Sequence, residues 1–202
     1  MDGRIQVLLD AESASTAVAH HGAAQGAEGM ATHLLVWGDH SLVLSGRVAG
    51  RPIGESSDHS LAQRTSWLFA DVDLGTLDEL RGEVRDRQRT TGARAVDALI
   101  GDTRAAALAK QLAWALSGPV SVLGPGTVVL AGPRFGPLSP VLAPMVEREM
   151  AELGPTRPRV HPTTVPGDTV LVGTMCHALA QAREKLIESV NDDAVERRLA
   201  FG

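Results

Sequence analysis

The stretch "HLLVWGDHSLVLSGRV", residues 33–48, sets two apolar runs on either side of a short polar turn and closes on Ser45-Gly46. Its aliphatic and β-branched residues suit a pleated, partly buried surface, and Gly38-Asp39 is a good tight-turn pair. The stretch therefore predicts a β-hairpin. A hairpin alone cannot bury both of its faces, so the rest of the chain must supply the layers that cover it.

Working outward, "RIQVLLD" (4–10) is a short β-type run ending in an acid, and "AESASTAVAHHGAAQG" (11–26) is Ala-rich with a natural stop at Gly26. After the hairpin, "AGRPIGESS" reads as a loop. A helix is expected around 59–70, capped by Asp58, with Leu61, Trp67 and Leu68 on one face. A charged helix follows over "TLDELRGEVRDRQRT", with Thr76 and Glu79 in capping-box spacing. From 93 to 117 the apolar residues recur at helical spacing, and Gly101-Asp102 is expected to split the run into two helices.

"LGPGTVVLAGP" (123–133) has the form of a short central strand between Gly/Pro turns. "SPVLAPMVEREMAEL" (139–153) is amphipathic, with Pro140 tolerated in a first helical turn. "RVHPTTV" (159–165) reads as a strand. "GDTVLVGTMCHALAQAREKLIES" (167–189) reads as a long helix whose Gly173, Ala178 and Ala180 would allow close approach to a sheet. The tail "VNDDAVERRLAFG" reads as a frayed extension or a docking arm. Strands separated by helical crossovers after a leading hairpin make the class α/β with a mixed sheet.

The bulk numbers agree with a globular chain. Its 202 residues suit one domain, or one with a fragment of another, and 44% hydrophobic residues can form a core. With three Trp, three Phe and no Tyr, that core must come from Leu, Val and Ala. A net charge of −5 argues against gripping a nucleic-acid backbone, which needs clustered Lys and Arg. The single cysteine, Cys176, excludes an internal disulfide and a cysteine-built zinc site. No apolar run approaches membrane-spanning length and no signal-peptide pattern opens the chain, so a soluble cytoplasmic protein is expected.

The order of these pieces resembles the ROK family of sugar kinases and sugar-responsive repressors. "VLLDAESASTAVAHHGAAQGA" looks like the family's acid-plus-helix piece, "LLVWGDHSLVLSGRV" its glycine-rich hairpin and "GRPIGESSDH" its Gly-Glu loop. "PGTVVLAGP" is similar to its strand before a triple glycine, and "VPGDTVLVGTMCHAL" to its last helix. The resemblance implies an actin-like ATPase (ribonuclease H-like) fold of two lobes with ligand between them. It implies further that residues 1–30 are a stub of the first lobe, 31–188 the second lobe and 189–202 an extension. On that reading the chain lacks the helix-turn-helix through which repressor members reach DNA.

Carried over residue by residue, Asp10 falls where the family has its catalytic base, although the commoner role of an Asp just before a helix is that of an N-cap. Leu9 and Glu12 stand where the family has asparagines. Glu55 matches the sugar-binding glutamate, and Asp58 or His59 the following histidine. Gly38 and Gly132 are what remains of the two nucleotide-binding glycine clusters. The turn of Asp39-His40-Ser41 is about three residues shorter than the family's, and Asp39 sets an anion where phosphate would lie. In "LAGPRFGP", Pro133 removes an amide and Arg134 adds a charge, a conceivable phosphate partner although a loop arginine is usually solvated.

The family's zinc cluster has no counterpart, since residues 56–75 contain no cysteine. Cys176 lies on an apolar helix face, the usual setting of an inert buried thiol. The resemblance thus implies no cofactor or metal, a homodimer, and a sugar or sugar-phosphate effector. The reading from sequence is a non-catalytic sensing and dimerisation domain of a ROK-type regulator, the alternative being a sugar kinase with Asp10 as general base.

Overall fold

The computed structural model describes residues 14–18, 32–48, 51–52, 66–91, 99–165 and 168–200. Five strands form one mixed sheet: β1 (His33–Gly38), β2 (Leu42–Val48), β3 (Arg51–Pro52), β4 (Thr127–Ala131) and β5 (Arg159–Pro162), in the order β3-β2-β1-β4-β5. The predicted hairpin is there, β1 running antiparallel to β2 with Gly38 opposite Leu42. β4 joins the other edge of β1 in parallel, Leu34 opposite Val128, and β5 lies parallel to β4. Among the described residues four long helices accompany the sheet, α1 (Leu74–Thr91), α2 (Thr103–Leu123), α3 (Ser139–Leu153) and α4 (Thr169–Ala200), besides a helical segment at 14–18.

The two-residue period of β1 sorts the core into two layers. Leu34 and Val36, with Leu42, Leu44, Val128, Leu130 and Val160, face α1, α2 and α3 in one continuous cluster. Leu35 and Trp37, with Val129 and Ala131, face the other way onto Ala14, Ala17 and Val18 of the helical segment 14–18 and onto the start of α4. All six residues of β1 are buried, as expected of a strand covered on both faces. At about 1.5–3 kcal/mol for each large side chain withdrawn from water, this strand holds the layers together.

α2 buries Ala105, Leu108, Ala109, Leu112, Ala113, Leu116 and Val120, one stripe at helical spacing, and its alanines let α3 pack close. Asp102 caps its N-terminus by accepting from the Arg104 amide at 2.8 Å. Gly124, at φ 57°, ends it in a left-handed turn whose N–H reaches Val120 O. The break expected at Gly101-Asp102 is therefore a capped helix start, and the helix runs past Pro119 to Leu123. Arg104 also forks onto Glu83 of α1 at 2.8 and 3.1 Å, and its guanidinium holds both the Glu83 and Asp102 carboxyls below their usual range.

Three expectations change. The described part of the helix placed at 59–70 is a 3-10 turn, Ser66–Phe69, with Trp67 exposed rather than sharing the Leu68 face. α1 is not opened by a Thr76/Glu79 box: Asp73 accepts from both the amide and the hydroxyl of Thr76, at 3.0 and 2.9 Å, which lowers its carboxyl pKa. Of the small residues in α4 only Gly173 is buried, while Ala178 and Ala180 are exposed. The tail read as a frayed extension or a docking arm is helical to Ala200, continuous with α4.

Candidate functional site

The ends of β1 and β4 meet side by side, and each carries one of the two glycines singled out above. Gly132, at φ 100°, turns the chain away from β4. A Cβ there would sit 2.5 Å from Gly38 O and 2.8 Å from Gly38 N. A Cβ on Gly38 would lie 2.9 Å from the Phe135 ring, which is fully buried. Both positions need glycine because two backbones and one aromatic ring converge there. The Arg134 amide completes the join by donating to Gly38 O at 2.9 Å.

The Arg134 side chain then folds over the hairpin turn. Its Nε donates to the Asp39 carbonyl, and its Nη2 to the His40 carbonyl at 3.4 Å. Its Nη1 lies 2.9 Å from Asp78 Oδ2 and 3.5 Å from the Leu74 carbonyl, both on α1. The side chain is only 17% exposed. The expectation of a solvated loop arginine is therefore wrong: Arg134 is a clamp joining the β4 loop, the hairpin turn and α1. A short turn has carbonyls that no ladder bond uses, and a guanidinium with five donors satisfies several at once.

This geometry bears directly on phosphate. An anion-binding turn presents successive N–H groups to its ligand. Here the Asp39 amide is taken by Ser41 O at 3.1 Å, and the turn shows its carbonyls to Arg134 instead. The Asp39 carboxylate stands beside them, 3.9 Å from His40 Nε2. The residues of the turn do not fit a triphosphate: Arg134 is held by Asp78 and the carbonyls, and Arg81 beside it by Asp78 and the Pro133 carbonyl.

On the other side of the strand ends a cleft of about 460 Å³ opens, lined by Trp37, Asp39, Gly132, Pro133, Thr163, Asp168, Thr169 and Val170. It lies outside the carboxyl ends of parallel strands, where open α/β sheets bind ligands. The N-terminus of α4 faces it, but its first amides are taken: Asp168 Oδ1 accepts from the Val170 amide at 2.9 Å and the Leu171 amide at 3.2 Å. The helix end is thus capped by a carboxylate of its own chain, which weakens it as an anion site.

Asp10, Glu55, Asp58 and His59 lie outside the described residues. Among the described residues no group of three His, Cys, Asp or Glu side chains is placed to hold a metal ion, and no helix is long and apolar enough to cross a membrane. Cys176 is half-buried on α4. His33, isolated in the sequence and by default a core or surface histidine, lies buried on the second sheet face 3.1 Å from Ser15 Oγ. Burial and the Arg47 charge lower its pKa from 6.5 to about 4. Its position in a strand otherwise made of Leu, Val and Trp was the available signal, because a polar side chain buried there must find a partner.

No family profile and no curated protein sequence matches the chain. Solved structures do. The ROK hexokinase of Thermus thermophilus superposes with a TM-score of 0.59 at 19% identity, over 87% of this chain and 65% of that one. A ROK family protein of Streptococcus pneumoniae, solved in complex with sucrose, gives 0.55 at 15% identity, over 87% and 65%. A ROK family glucokinase of Streptomyces griseus, solved with glucose and AMPPNP, gives 0.52 at 15%, over 83% and 65%. The chain has the actin-like α/β fold of these proteins and spans about two-thirds of their length, which bears out the expected fold class.

Proposed function

We propose that this chain is a non-catalytic sugar-sensing and dimerisation domain of a ROK-type transcriptional regulator. The observation that supports this most is the Arg134 clamp, which fills the hairpin turn with hydrogen bonds of the chain's own. A kinase must hold its phosphates with donors aimed at them, and this turn offers acceptors and a carboxylate. The sheet and an open cleft at its strand ends are nevertheless present, as an effector domain requires.

In this reading the protein is cytoplasmic and binds a sugar through the Gly54-Glu55 loop, with Glu55 and either Asp58 or His59 accepting and donating hydrogen bonds to hydroxyls. The carbohydrate complexes of the similar structures support that ligand class. DNA contact belongs to a helix-turn-helix module outside these residues. Hexoses and N-acetylated hexoses are expected to raise the melting temperature, and Glu55→Gln to abolish the shift. A coupled assay is expected to detect no phosphorylation of any of them. Sugar phosphorylation that disappears in Asp10→Asn would overturn the proposal in favour of a kinase.

A further inference from the structure

The start of α4 belongs to the core: Thr169 and Gly173 are buried, and Val170 and Val172 pack on the second face of the sheet. Farther along, the helix carries large apolar side chains in the open. Leu171, Met175, Leu179, Leu186 and Val190 are each between 57% and 68% exposed. At about 100° per residue these five, together with Ala182, fall within an arc of about 100°. Their steps of four, four, three, four and four residues are those of a helix–helix seam. A single projecting helix of this kind is marginal in water unless its stripe is covered.

We infer that the stripe seats antiparallel against the same stripe of a second copy, Leu171 facing Val190, Met175 facing Leu186 and Leu179 facing Ala182. This deepens the self-association in the proposed function and rests on that part of it alone. Three features of α4 select this occupant and this direction. The stripe is self-complementary about a two-fold axis between residues 180 and 181, so every stripe residue meets another, as an isologous contact demands. At the centre a large residue, Leu179, meets a small one, Ala182, which permits close approach.

The charges agree. Arg183, Glu184, Lys185 and Glu188 all lie in the second part of the seam, and the antiparallel register sets them against Ala178, His177, Cys176 and Gly173. A parallel pair would set every charge against its own copy. The five exposed side chains offer roughly 600 Å² per chain, about 1,200 Å² in total. That reaches the lower end of the range for specific interfaces before any flanking stem is added.

Sedimentation of the wild-type chain is expected to give twice its 21.2 kDa. Leu179→Glu/Leu186→Glu is expected to give the single-chain mass with cooperative melting retained at a lower temperature, since both positions are exposed in the single chain and the stripe is no longer covered. Direction is read by cross-linking in a Cys176→Ala background. Chains carrying Met175→Cys, mixed with chains carrying Leu186→Cys, should be joined to one another by a short bis-maleimide. Met175→Cys alone should stay uncoupled. A wild-type monomer would overturn both the register and self-association. A dimer that survives the double variant, or that couples Met175→Cys to itself, would overturn the register and leave the proposed function standing.

Discussion

The two sides of the strand ends are built from the same kinds of group and reach opposite states. On the hairpin side, the Asp39 amide is bonded to Ser41 and the Asp39 and His40 carbonyls are bonded to Arg134, which Asp78 holds in turn. On the α4 side, Thr163 and Thr169 border an open cleft, and Asp168 both borders it and caps the helix. One side has satisfied itself and the other has kept room for a ligand. At the hairpin turn the chain's own side chain thus takes the groups a ligand would meet, while the strand ends beside it frame an open cleft.

The sharpest way to break this contrast is at the join. Gly132→Val adds a Cβ into the Gly38 backbone at a φ that branched residues avoid. A loss of about 3–5 kcal/mol is expected, read as a drop of the order of 10 °C in melting temperature.

The next test uses pH and the buried second face. His33 folds with a pKa of about 4 against 6.5 when free, so the unfolded chain binds a proton that the folded chain refuses between those values. Stability is therefore full above pH 6.5 and falls as pH drops toward 4, by up to about 3 kcal/mol. Urea unfolding at a series of pH values should show this slope, and His33→Gln should flatten it.

Arg134→Met removes the clamp and should cost about 1–3 kcal/mol in denaturant unfolding, because the released carbonyls at the turn can turn to water. Smallest is Asp102→Ala, which removes the cap of α2 and should cost about 1 kcal/mol in the same measurement.

Much of the fold was legible because its signals are local. The alternation in β1 and β2, the Gly/Pro borders of β4 and the stripe of α2 each state their period within a few residues. The capping of α1 was misread because Thr76/Glu79 and Asp73/Thr76 offer the same turn, and only the chain's approach through Asp73 decides between them. Arg134 was misread for a different reason. Its partners are 56, 60, 94 and 95 residues away in sequence, and no local pattern announces a clamp that long-range folding assembles. The length and composition of the hairpin turn carry the expectation that phosphate is not held there; the arginine that fills the turn is a product of the tertiary fold.

The central claim is that the hairpin turn is closed to phosphate from within. Calorimetric titration of the chain with Mg·ATP at millimolar nucleotide tests it directly. The account predicts no saturable heat, for wild type and for Arg134→Met alike, since the Asp39 carboxylate and the short turn remain when the clamp is gone. Saturable binding by the wild-type chain, weakened by Gly132→Val or by a substitution of Asp39, would contradict it.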